Sequence, residues 1–161
     1  AHNMEMPIPH DNSNIVSSWD VLNGQEVTGD CVVIGGGLVG AETAEYLANK
    51  GHQVTIVEMM DKIAAGESTT VLPLMMKDFA DHNVKQLVNT KVDHIENNIV
   101  YTANDQIKAD TIINALGSKK NIFDDSSITI PHVYVGDCSG ERTADIASAI
   151  RTAYKAANEI D

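Results

Sequence analysis

The sequence is poor in the residues that announce several large classes of protein. Its 161 residues include 2 cysteines, Cys31 and Cys138, far apart and in no C-x-x-C spacing. Within this stretch a disulfide framework, a zinc site and an iron–sulfur cluster are therefore unsupported, and the expected compartment is reducing cytosol. No apolar run reaches the ~18 residues of a membrane span. The polar first residues lack the basic-then-apolar order of a signal peptide. Positive charge is scarce: 11 Lys and Arg stand against 23 Asp and Glu, a formal net charge of −12. Nucleic acid and anionic membrane need local positive potential, so neither is an expected partner. The histidines (His2, His10, His52, His82, His94 and His132) are scattered without ligand spacing, and no metal is assigned. Any anion held here must rely on backbone N–H groups and a helix dipole.

What the chain does carry is an apolar strand, a glycine turn, a helix, and a second strand ending in an acid. The run Cys31-Val-Val-Ile34 leads into Gly35, Gly36, Gly37, Leu38, Val39 and Gly40, and Gln53-Val-Thr-Ile-Val57 ends at Glu58. Gly35 suits the sharp turn, Gly37 the approach of a pyrophosphate, and Gly40 the close seating of the helix on the strand. Glu58 falls where a carboxylate accepts both ribose hydroxyls and meets a 2′-phosphate with like charge. Met59, Met60 and Asp61 follow without an arginine, and Lys62 is the nearest cation in sequence. That favours NAD(H) over NADP(H). The competing readings are a ligand-free strand–helix turn and a surface glutamate at a strand end.

The pattern as a whole predicts an α/β fold: a Rossmann-like parallel sheet with flanking helices and a small antiparallel β-meander. Residues 1–18 read as an irregular segment, with no structural weight for the residues ahead of Met4. Residues 19–117 read as the NAD(H)-binding domain, with a short helical turn near Trp19–Leu22. Helices are expected over Leu38–Lys50, ended by Gly51, and from Ser68–Thr70 to His82. The stripe Leu72, Met75, Met76 and Phe79 is core by its helical period. Asn83–Val88 is the third strand. The segments Val92–Glu96, Ile99–Ala103 and Gln106–Lys108 are separated by Asn97-Asn98 and Asn104-Asp105, residues that tolerate the positive φ of tight hairpins. Thr111–Leu116 returns to an apolar strand.

Residues 118–130 read as a linker. In residues 131–161 a strand at Val133–Val135 precedes a helix from about Thr143 to Glu159, whose Ala149, Ala153 and Ala157 would allow close packing on a sheet. The strand is expected to join the sheet beside Thr111–Leu116, or to pair with a second copy in a swapped homodimer.

Four further positions have two readings each. Glu42, taken as lying in the first turn of the cofactor helix, complements the helix end or helps place a nicotinamide. Ala115 and Gly117 either leave room for a ligand at the carboxyl edge of the sheet or make a simple turn. Asp137, after Gly136, either contacts a ligand's hydroxyls or caps its own turn.

At this point the residues resemble a known arrangement. The run VVIGGGLVGAETAEYLANKGHQVTIVE, the later ADTIINALG and the closing VYVGDCSGERTADIASAIRTAYKAANEI are similar to the C-terminal part of NADH:flavin oxidoreductases. These are old-yellow-enzyme-related proteins with an appended two-dinucleotide module, such as enoate and 2,4-dienoyl-CoA reductases. The first block is shared with all pyridine-nucleotide-disulfide-type reductases; the other two narrow the choice. The resemblance implies that Gly35, Gly37 and Gly40 hold the NAD(H) pyrophosphate, with Glu58 on the adenosine ribose and Gly117 beside the cofactor. It also implies that Gly136 and Asp137 belong to an FAD lobe, with Asp137 near the ribityl and pyrophosphate region. FAD, FMN and a 4Fe–4S cluster are expected in the intact enzyme, whose FAD and FMN domains would be the partners of this piece. No catalytic residue is assigned. The alternatives are a free-standing NAD(H)-responsive regulatory module and the NADH lobe of a disulfide reductase.

Overall fold

The computed structural model describes residues 2–66, 68–119, 124–139 and 146–159. In chain order its elements begin with the short strand β1 (His2–Asn3), strand β2 (Ile15–Ser17) and helix α1 (Ser18–Leu22). Next come β3 (Cys31–Ile34), α2 (Leu38–Asn49), β4 (Val54–Val57), α3 (Leu72–Asp81) and β5 (Lys85–Leu87). The strands β6 (Val92–Glu96), β7 (Ile99–Thr102) and β8 (Gln106–Lys108) lead to β9 (Thr111–Asn114) and β10 (Ser118–Lys119). A 3₁₀ turn (Gly136–Cys138) and helix α4 (Ile146–Asn158) close the described chain. Two units separate: Glu5–Gly117, and the described parts of residues 1–4 with 118–161.

In the larger unit, five strands form a parallel sheet in the order β2-β9-β3-β4-β5. Side chains of a strand alternate between faces, and here both faces are covered, which is why the strands are continuously apolar. Val33, Ile56 and Ile113 point into a cluster with Ala44 and Leu47 of α2 and Met75 and Phe79 of α3. Val32, Ile34, Val57 and Ile112 point the other way, onto Val92, Ile95, Val100 and Ala109 of the meander. Each large buried side chain contributes roughly 1.5–3 kcal/mol. The stripe on α3 behaves as expected: Met75 and Phe79 are buried, with Leu72 and Met76 packed beside them. Gly51, at φ +91, ends α2.

The meander β6-β7-β8 is antiparallel. Its first hairpin uses positive φ at Asn97 (52°) and Asn98 (59°). The second departs from expectation, since Asn104 and Asp105 keep ordinary φ. There the Thr102 hydroxyl accepts the Asp105 amide at 2.9 Å, while Thr102 N–H donates to the Asp105 carbonyl at 2.9 Å. A threonine side chain has taken over the work of a left-handed residue.

Expectations for the chain's two ends also fail. Residues 1–18 are not irregular throughout. Ile15–Ser17 supplies an outer strand of the sheet, in register with Ile112–Asn114. The chain before it runs along the meander, where Ile95 N–H donates to the Pro9 carbonyl at 2.9 Å and Asn97 N–H to Asp11 Oδ2 at 2.9 Å. The place beside β9 is therefore taken by β2, and Val133–Val135, expected there, forms no strand and lies outside this sheet. Backbone hydrogen bonds on that edge of β9 are already satisfied, so no vacancy awaits it. Finally, His2–Asn3, given no weight, pairs antiparallel with Ser118–Lys119.

In the smaller unit, α4 is described over Ile146–Asn158; the expected start at Thr143 lies outside the described residues. Ala153 and Ala157 are exposed rather than packed, and the half-buried line is Ala149, Thr152 and Ala156. Ile146, Ile150 and Tyr154, one turn apart, are 80%, 64% and 72% exposed. Among the described residues no helix is long and apolar enough to cross a membrane.

Candidate functional site

The parallel strands β9, β3, β4 and β5 end on one edge of the sheet, where open α/β folds bind ligands. The β3–α2 turn shows where glycine is required and where it is not. Gly35 sits at φ +101, and a Cβ on it would lie 2.6 Å from the Ala115 carbonyl oxygen. Gly40 presses α2 onto the strands so closely that a Cβ would stand 1.9 Å from the Gly35 carbonyl oxygen. At Gly36 a Cβ would strike Ile63 Cδ1 at 2.5 Å and Glu58 Cβ at 3.0 Å. Gly37 differs: nothing lies within 4 Å of its missing Cβ. It is the N-cap of α2, and the amides of the helix's first turn (Leu38, Val39 and Gly40) have no carbonyl four residues back to bond. Leu38 and Val39 side chains are exposed and flank the turn. An open glycine with unsatisfied amides at a helix N-terminus is the geometry that accepts a pyrophosphate.

Glu58 closes the second side. Its Oε2 accepts the Gly36 N–H at 2.6 Å and its Oε1 the Met60 N–H at 2.7 Å. Its own backbone is pinned to the neighbouring strand end, donating to the Leu87 carbonyl at 2.8 Å and accepting Thr90 N–H at 2.9 Å. Each carboxylate oxygen keeps acceptor capacity for a ribose hydroxyl. The loop after it folds back over the turn: Ala64, at φ 51, donates its N–H to the Gly36 carbonyl at 2.7 Å. A left-handed alanine costs about 1 kcal/mol or more, offset here by burial and that hydrogen bond.

The third wall is the turn after β9. Ala115 N–H donates to the Ile34 carbonyl at 2.9 Å, and the buried Asn114 accepts the Leu116 amide on Oδ1 at 3.2 Å. Gly117 stands at φ +103 with no neighbour within 4 Å of a Cβ. The turn itself demands glycine, and the open space beside it also leaves room for a ligand, so both readings of Gly117 fit. Gly35, Gly37, Glu58, Ala115 and Gly117 all line one cavity of about 410 Å³.

Glu42 does not belong to the first turn: it is the fifth residue of a helix that starts at Leu38, with its side chain exposed. A charge that far along the helix has moved beyond the N-terminal dipole. In the other unit, Gly136 sits at φ 61 and donates its N–H to Thr152 Oγ1 at 2.8 Å. Asp137 is exposed in the 3₁₀ turn, and the Ser139 amide bonds the Gly136 carbonyl at 3.0 Å rather than the Asp137 carboxylate. Among the described residues no group of three or more metal-ligating side chains converges.

Ile8, Met59, Thr90 and Lys91, none of them a candidate from the sequence, also line the cavity. Thr90 and Lys91 follow a parallel strand, so the carboxyl-edge rule was a usable signal. Ile8 arrives from the N-terminal segment through contacts distant in sequence, and no local pattern marks it.

A model of the pyridine nucleotide-disulphide oxidoreductase family matches residues 1–159. The bilirubin reductase of Mediterraneibacter gnavus is 44% identical over 98% of this chain, which corresponds to 26% of that protein. The cinnamate reductase of Clostridium sporogenes is 30% identical over 91% of this chain and 23% of its own length. Among solved structures, a 2-naphthoyl-CoA reductase superposes with a TM-score of 0.79 at 27% identity, covering 98% of this chain and 25% of that one. The chain thus spans about a quarter of the length of these relatives. With its glycine turn, acid-tipped strand and match over residues 1–159, the chain belongs to the pyridine nucleotide-disulphide oxidoreductase family.

Proposed function

We propose that this chain is the NADH-binding lobe of a larger flavin-dependent oxidoreductase of the NADH:flavin, old-yellow-enzyme-related type. The observation that carries the reading is the contrast within one turn: a Cβ on Gly40 would stand 1.9 Å from the Gly35 carbonyl oxygen, while one on Gly37 would meet nothing within 4 Å. Gly37 and the first amides of α2 would hold the pyrophosphate, Glu58 would orient the adenosine ribose, and the Ala115–Gly117 turn would border the remainder. Held there, NADH would supply hydride for an FAD of the parent enzyme, from which FMN and a 4Fe–4S cluster would serve reduction of an activated C=C bond. The reductase names of the relatives, and their greater length, support that parent.

In the same reading, residues 131–161 derive from an FAD lobe, with Asp137 as a flavin-side residue and residues 118–130 as the link. The exposed stripe Ile146, Ile150 and Tyr154 fits a helix that packs on further domains of the parent. In the isolated chain the same stripe favours self-association, and an elution mass at twice the monomer would reveal a homodimer. The thiols of Cys31 and Cys138 suit a reducing, cytosolic setting.

A free-standing NAD(H)-responsive module is the second reading. It is favoured by one fact: every wall of the cavity lies within Glu5–Gly117. Titration of the purified chain with NADH and NADPH, with and without FAD, tests the nucleotide site on which both readings rest. NADH binding that FAD leaves unchanged supports the nucleotide site in either setting; binding of neither nucleotide overturns it.

A further inference from the structure

The cavity at the carboxyl edge of the sheet is mostly apolar, and its charged lining consists of Glu58 and Lys91. The two differ in how they are held. Glu58 is fixed by the Gly36 and Met60 amides at 2.6 and 2.7 Å, so its carboxylate cannot swing away from a bound ribose. Lys91 is exposed, and its ammonium makes no ion pair or hydrogen bond with a described residue. An unpaired cation in the wall of a cleft, in a chain of net charge −12, concentrates what little positive potential the surface has at this point. Lys62, the cation nearest to Glu58 in sequence, does not line the cavity.

A bound adenosine ribose facing Glu58 would put any 2′-phosphate beside a fixed negative charge. Among the residues lining the cavity, Lys91 carries the positive charge. A lysine suits such a group, because its ammonium is a mobile point charge that meets a phosphate without a fixed bidentate geometry. We propose that Lys91 is a specificity-determining residue that narrows the preference for NADH, so that the cleft takes NADPH as a weaker second ligand. This rests on the NADH-binding reading above.

The test is a pair of titrations, NADH and NADPH, against the full chain and its Lys91→Gln and Lys91→Arg variants at low and high salt. The wild-type chain should bind NADH more tightly than NADPH. Lys91→Gln should weaken NADPH about fivefold and change NADH by less than about twofold, with the difference shrinking at high salt. Lys91→Arg should restore NADPH binding, because it returns the charge. Equal shifts for both nucleotides, no shift at all, or a wild-type chain that binds NADH but not NADPH would each overturn the role of Lys91 and leave the NADH site standing. A wild-type chain that binds neither nucleotide overturns the nucleotide site, and the inference falls with it.

Discussion

The Gly36 amide donates to Glu58 Oε2 at 2.6 Å, which ties the turn after β3 to the acid at the end of β4 as one hydrogen-bonded unit. The acid thus has two jobs, shaping the turn and facing the cleft, and substitutions divide between them.

Glu58→Ala removes the acceptor of two backbone amides and, with it, the acceptor proposed for the ribose. Hydrogen bonds to a charged group are worth about 1.5–3 kcal/mol, so NADH affinity should fall at least tenfold. NADPH, freed from like-charge repulsion, should lose less. Glu58→Gln retains an acceptor and should keep more of the wild-type melting temperature. Calorimetric titration with both nucleotides checks this, and equal loss for both would refute the specificity argument.

Two glycine substitutions should separate folding from binding. Gly40→Ala forces a methyl to 1.9 Å from the Gly35 carbonyl oxygen, and the overpacking should cost about 1–3 kcal/mol or more. Gly37→Ala meets nothing within 4 Å, so its urea midpoint should stay near wild type while NADH binding is lost to the methyl now standing in the cleft. Denaturation curves run beside nucleotide titrations would show the split.

Burial, followed by the nearby Asp30 and Asp110, pushes the Cys31 thiol up from 9.0 to about 11. The folded state therefore keeps its proton where the unfolded chain has lost it. Stability should be unaffected below pH 9 and should decline as pH rises from 9 towards 11, because the unfolded state releases the proton first. Cys31→Ala should flatten this part of the pH profile. In the native chain at pH 8, a thiol reagent should react with the exposed Cys138 and spare the buried Cys31 until urea is added.

Asp11 ties the N-terminal segment to the first hairpin, accepting the Asn97 and Ser13 amides at 2.9 Å each. The Ser13 side chain and the Asn97 amide hold its carboxyl below the ordinary value of 3.8. Its contribution is present above that pH and lost as pH falls through the lower folded value. Amide exchange at Asn97 should accelerate in Asp11→Ala at neutral pH, and in the wild type only under more acid conditions. Unchanged exchange in the variant would show that the segment is held by its backbone bonds alone.

The positions of β3, α2, β4, α3 and the meander were legible because each rests on local rules: apolar runs, helical period, glycine caps and Asn-rich hairpins. The placement of Gly35–Gly40 and Glu58 at one sheet edge was legible for the same reason, since a turn, a helix start and a strand end are short-range events. What the sequence by itself determined is therefore the sheet's inner strands and which residues stand at their carboxyl ends. Tertiary structure decided the rest. Ile15–Ser17 rather than Val133–Val135 flanks Thr111–Asn114, a choice between two short apolar segments that no local pattern can rank. Lys91 and Ile8 line the cavity only because the meander and the N-terminal segment are folded across the sheet's second face. Strand neighbours and cavity walls depend on contacts between residues far apart in the chain, and their energies are absent from any window of sequence.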